Sequence, residues 1–92
     1  MLVLRRRYVA RGLVQGIGYR WFVSDAADKL AVTGWVRNLP DGAVEIEAQS
    51  DSKTLSGFEA ELRCGHPAAK VRALQAQEMP PAEGEKNFRI LA

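Results

Sequence analysis

Two glycines, Gly16 and Gly18, separate stretches of the chain that have different hydrophobic periods. From Leu2 to Val14 the more apolar face falls on alternate residues, Leu4, Tyr8, Ala10, Gly12 and Val14, with Arg6 interrupting it. Arg5, Arg7 and Arg11 occupy the other face, and this two-residue period predicts a strand. From Tyr19 to Leu30 the pattern changes: Tyr19, Phe22, Val23, Ala26 and Leu30 form a helical stripe, with Ser24, Asp25, Asp28 and Lys29 elsewhere. A strand must therefore turn sharply into a helix, and the two glycines let the backbone do so without a Cβ penalty.

The remaining elements follow from the same reasoning. Thr33 to Asn38 reads as a second strand, and Leu39-Pro40-Asp41-Gly42 as a turn, since proline presets one dihedral and Asp-Gly tolerates positive φ. Val44 to Gln49 alternates cleanly, with Val44, Ile46 and Ala48 inward and Glu45, Glu47 and Gln49 outward toward solvent. Asp51 and Ser52 open a second helix carrying Leu55, Phe58 and Leu62; Gly65 stands at its C-terminal cap and Pro67 prevents continuation. Residues 69–78 give a fourth strand with an ambiguous inward face. Pro80 to Glu85 is a polar loop, and Phe88 and Ile90 alternate in a short final strand. This order predicts an α+β, ferredoxin-like βαββαβ sandwich: an antiparallel four-stranded sheet, plus the short C-terminal strand, with both helices on one face.

A chain of 92 residues is expected to form a single domain, 1–92, with one core. Its one cysteine, Cys64, cannot make an internal disulfide, so packing must hold the fold; a cytoplasmic location is the expectation. No apolar run approaches the roughly 20 residues needed to span a bilayer, and the arginine-rich start lacks the pattern of a secretory signal. The formal charge of +2 does not by itself argue for nucleic acid. Arg5, Arg6, Arg7 and Arg11 are either a solvated strand edge or a means of steering an anion toward the loop that follows.

That loop, Val14 to Arg20, carries the chemistry. The first amides of a helix lack intrahelical partners, and the helix dipole favours an anion beside them. Arg20 adds a planar fork of donors shaped for phosphate or carboxylate oxygens. The motif VQGIGYR therefore reads as an anion cradle, best matched to a phosphoryl group. No cluster of His, Cys, Asp and Glu has metal-ligand spacing, so neither a metal nor a cofactor is expected. His66 beside Pro67 reads as a loop residue, and Trp21 and Trp35 as packing residues.

Two signatures, in the right order and on the right elements, give the chain a resemblance to the acylphosphatase family over nearly its whole length. The first comprises Gly12, Val14, Gln15, Gly16, Ile17, Tyr19 and Arg20; the second comprises Gly34, Trp35, Val36, Arg37, Asn38, Gly42 and Val44. Phe88-Arg89-Ile90 also looks like the family's ending. The second signature usually closes with a glycine where this chain has Ser50, which reads as a local turn variation at the exit of the third strand. The resemblance implies hydrolysis of small acyl phosphates to carboxylate and orthophosphate. It implies that Arg20 binds phosphate, that the backbone of Gln15, Gly16, Ile17, Gly18, Tyr19 and Arg20 forms the cradle, and that Asn38 holds the attacking water.

A free-standing, monomeric, metal-independent enzyme is the leading expectation. One alternative is a non-catalytic regulatory domain that binds carbamoyl phosphate or a similar anion. The other is an RNA-binding module with the same element order, which the glutamates of the third strand disfavour, because stacking aromatics belong there.

Overall fold

The structure is a computed structural model that describes residues 2–91. Its elements are β1 (Leu4–Leu13), α1 (Tyr19–Leu30), β2 (Thr33–Asn38), β3 (Val44–Ser50), α2 (Ser52–Cys64), β4 (Lys70–Met79) and β5 (Phe88–Ile90). One sheet contains all five strands in the order β4-β1-β3-β2-β5. The four longer strands pair antiparallel throughout, as expected. The short β5 adds parallel to β2, a direction that the sequence pattern does not specify.

β1 is shorter than its apolar pattern at both ends, because pairing decides where a strand stops. Its ladder with β3 begins at the Leu4–Ser50 pair, and its ladder with β4 closes at Leu13–Lys70. Leu2 and Val3 are left exposed, while Val14 leaves the sheet and turns into the core.

Both helices cover one face of the sheet. Tyr8, Ala10, Val36, Val44, Ile46 and Ala48 from the strands meet Tyr19, Val23, Ala26, Ala27, Leu55, Phe58 and Leu62 from the helices. Phe58 is the hub, with Tyr8 and Phe88 at edge-on geometry and centroids 6.4 and 6.1 Å away. Burying such a ring contributes about 1.5–3 kcal/mol. On α1 the inward stripe takes Ala27, and Leu30 lies at the solvent margin, 36% exposed. α2 starts on Asp51, whose carboxylate accepts from the Thr54 amide and hydroxyl, both at 2.9 Å. Gly65 does end this helix, but at φ −78°; its amide donates to Glu61, and a Cβ there would meet Phe22 of α1 at 2.5 Å.

β1 and β2 both run antiparallel to β3, which lies between them. They therefore run in the same direction and deliver their C-terminal ends to one edge of the molecule. The loop after β1 and Asn38 at the end of β2 meet at that edge.

Candidate active site

Gly16 and Gly18 adopt left-handed backbone conformations, φ 77° and 76°, which L side chains rarely tolerate. The intervening Ile17 packs its side chain against the core and anchors the loop. Gly18 is the N-cap of α1, with no side chain capping the helix and no acid in its first turn. Among the described residues, the amides of Gln15 to Arg20 donate no hydrogen bond. The contrast with α2 is direct, since Asp51 already occupies the N-terminus of that helix. The start of α1 thus keeps its positive end available to an anion.

These residues border a small pocket of ≈ 160 Å³ lined by Val14, Gln15, Gly16, Gly18, Tyr19, Arg20, Trp21 and Asn38. Of the residues expected at the site, Ile17 is not in this lining. Tyr19 contributes backbone alone; its ring is buried and its hydroxyl donates to the Leu62 carbonyl at 2.7 Å. Burial raises its pKa, so the phenol stays neutral at physiological pH.

Arg20 has one long contact, 3.5 Å from Nη1 to the Leu91 carbonyl, and no carboxylate partner among the described residues. Asn38 supplies a second unsatisfied group: its Oδ1 is buried and accepts no hydrogen bond from a described residue. Leaving a buried acceptor unpaired costs about 1–3 kcal/mol.

The side chain of Gln15 has a role that sequence reasoning missed. Its Nε2 donates to the Leu39 and Ala43 carbonyls at 2.9 and 2.8 Å. It ties the cradle to the turn that begins just after Asn38. The Val-Gln-Gly string hinted at a special glutamine, but a contact spanning some two dozen residues has no signal in local spacing.

Each arginine of β1 holds a carboxylate, and only Arg5 is buried, whereas Arg11 stays solvated. Arg5 is only 5% exposed, binding Glu47 at 2.7 Å and Glu85 at 2.8 Å. Arg7 and Arg37 both grip Glu45, at 2.5 and 2.6 Å, while Arg11 reaches Asp41 and Arg6 reaches Glu59 and Glu78. Glu45, expected on a solvent face, is 5% exposed beneath its two arginines. Trp35 lies under the Arg37 guanidinium, 5.4 Å from ring centroid to Cζ. Trp21, expected as a packing residue, is instead 73% exposed. His66 accepts from the Ala68 amide at 3.1 Å and packs against Phe22, as a loop residue does. Among the described residues no three of His, Cys, Asp and Glu converge as a metal site would require.

The sequence model of the family described as Acylphosphatase matches residues 6–90. The chain belongs to the acylphosphatase family. It is 42% identical to an acylphosphatase of Koribacter versatilis over 92% of this chain and 77% of that protein. It is 40% identical to one from Clostridium acetobutylicum, covering 96% of this chain and 99% of the relative. The crystal structure of acylphosphatase from Bacillus subtilis superposes with a TM-score of 0.91 at 38% identity, over 97% of this chain and 99% of that one. The chain is accordingly a hydrolase of acyl phosphates with the ferredoxin-like fold of this family. No helix among the described residues is long and apolar enough to cross a membrane.

Proposed function

We propose that the chain hydrolyses small acyl phosphates by holding the phosphoryl group on the amides of residues 15–20 and the Arg20 guanidinium, while Asn38 orients the attacking water. The observation that carries this reading is the convergence on one pocket of an uncapped helix N-terminus, an arginine with no carboxylate partner among the described residues and an amide oxygen that is buried and accepts from none of them. Amides and guanidinium together match three phosphoryl oxygens, and their positive field opposes the charge that builds there. A water donating to Asn38 Oδ1 satisfies that acceptor and is held beside the phosphorus.

A carboxamide orients but does not take a proton at neutral pH. The water's proton passes to a phosphoryl oxygen of the substrate, the P–O bond to the acyl oxygen breaks, and carboxylate and orthophosphate leave. The leaving carboxylate is already stable, so positioning and charge neutralisation suffice and no metal is invoked. The proposal extends to a monomer acting in the cytoplasm on a small molecule; the pocket's ≈ 160 Å³ supports the last of these. A nucleic-acid partner is disfavoured because the open sheet face is tiled with paired arginine and glutamate.

Benzoyl phosphate and para-nitrophenyl phosphate, each assayed with and without EDTA, test this reading. Rapid hydrolysis of the first, indifferent to chelator, with the second essentially untouched is the expected outcome. Comparable rates on both substrates, or loss of activity that Mg²⁺ restores, would require a different mechanism.

A further inference from the structure

The pocket that receives the phosphoryl group is too small for the rest of the substrate. Its ≈ 160 Å³ lies well under the roughly 300–1,000 Å³ of pockets that enclose a whole organic ligand. An acyl group attached to a phosphate seated there must extend across the rim. Val14 and Tyr19, although they line the pocket, are each 1% exposed and present no usable side-chain surface. Gly16 and Gly18 have no side chain, and Gln15, Arg20 and Asn38 are polar. Trp21 remains: it follows Arg20 in the first turn of α1, lines the same pocket and is 73% exposed. Among the residues that line the pocket it is the one with an exposed, broad apolar side chain.

We infer that the Trp21 indole is the seat of the acyl group and that it biases the enzyme toward acyl phosphates with an aromatic or extended apolar acyl chain. This rests on the phosphoryl placement proposed above. An indole face offers a flat apolar surface and a quadrupole suited to offset stacking with an aryl ring. It stabilises such a substrate without touching the phosphoryl group, whereas an acetyl group is too small to cover the ring. Trp21 thus acts on substrate choice, and the cradle acts on phosphate.

The test compares kcat/KM for benzoyl phosphate and acetyl phosphate in the native protein, Trp21→Ala and Trp21→Phe, with the inhibition constant of inorganic phosphate measured in each. Trp21→Ala should lower the benzoyl-to-acetyl ratio by about three- to tenfold, the scale of one aromatic contact. Phosphate inhibition should be unchanged, and Trp21→Phe should recover most of the ratio. An unaltered ratio in Trp21→Ala overturns the inference while leaving the cradle intact. A shifted phosphate inhibition constant in that variant also overturns it, since Trp21 would then be part of the cradle. Absence of phosphate inhibition in the native protein instead overturns the phosphoryl placement itself. The exposure of Trp21 means that no packing is lost, so all variants remain measurable.

Discussion

Arg20 and Asn38 line the same pocket but differ in what they can do for a phosphoryl group. In the reaction proposed above, arginine presents charge and a bidentate fork to the ground state and the transition state alike, whereas asparagine places the nucleophile, which matters when the bond to phosphorus forms. Substitutions at the two positions should therefore separate binding from turnover. In Arg20→Lys, inhibition by inorganic phosphate should largely disappear along with activity, because a flexible ammonium cannot replace two parallel hydrogen bonds. In Asn38→Ala, phosphate should inhibit as before while kcat falls by roughly 10²–10³-fold, the usual scale of a preorganised polar contact. Inhibition constants and kcat on both folded variants check this, and a near-native kcat in Asn38→Ala would reduce that residue to a turn former. That both residues line one pocket was legible because they stand inside signatures. The exposure of Trp21 had a signal in the helical period, which leaves it off the stripe of Tyr19, Phe22, Val23, Ala26 and Leu30 and beside Asp25 and Asp28, although its apolar bulk argues for packing. Burial of Glu45 was hidden: alternation assigns a face, and only the partners Arg7 and Arg37 decide whether that face is wet.

Elements position these residues, and two substitutions probe how. Gln15 joins the cradle to the β2–β3 turn through two donated hydrogen bonds. Gln15→Leu keeps the volume and removes both donors. Leu39 and Ala43 retain other amide donors from Gly42 and Leu39, so stability should fall by only roughly 1 kcal/mol. Asn38 loses its tether to the cradle, however, and kcat should drop by about tenfold; a variant that loses stability but keeps kcat would confine the brace to folding. At the far end of α1, Ala31 sits in the left-handed region at φ 57°, closing the helix with its amide on the Ala27 and Asp28 carbonyls. An L residue there carries strain of about 1 kcal/mol. Ala31→Gly should relieve it, raising the urea midpoint by the equivalent of about 0.5–1 kcal/mol at unchanged kcat. The strand and helix boundaries read well from periodicity wherever one face is buried. β4 read poorly for a physical reason. It is an edge strand with Val71 and Leu74 packed against the core and nearly everything else exposed, so its sequence is under little pressure to alternate.

Across the whole molecule, one sheet face is packed by helices and the other by ion pairs. Burial alone would raise the Glu45 carboxyl, but hydrogen bonds and charge from Arg37 and Arg7 outweigh it and hold its pKa below the ordinary 4.5. Glu85 is lowered in the same way, with burial outweighed by Arg5 above all. A carboxyl depressed in the folded state binds fewer protons there than in the unfolded chain, so stability rises with pH through that window. The contribution is complete above about pH 4.5 and is lost as pH falls toward the folded-state values. The urea midpoint should therefore drop as pH falls below about 4.5, and Glu45→Gln should flatten that slope; an unaltered slope would remove Glu45 from the acid response. The ion-pair face escaped the sequence because β1, β2, β3 and the loop before β5 supply its members from far apart.

The first strand of the chain ends up in the middle of the sheet, and neither of its neighbours is close behind it. Its flanks are closed by β3 and by β4, with Arg5 paired to Gln49 on one side and to Met79 on the other. A polypeptide made from its N-terminus thus holds β1 with both hydrogen-bonding edges open until β3 arrives, and with one still open until β4 is complete. During that interval a strand with free N–H and C=O groups is offered to any other extended segment, including β1 of a second copy. Arg5, Arg6, Arg7 and Arg11, all of them paired in the finished protein, then lack the partners that neutralise them, and like charges on two such strands resist pairing side by side. The residues that tile the folded sheet thus also guard the unfinished one.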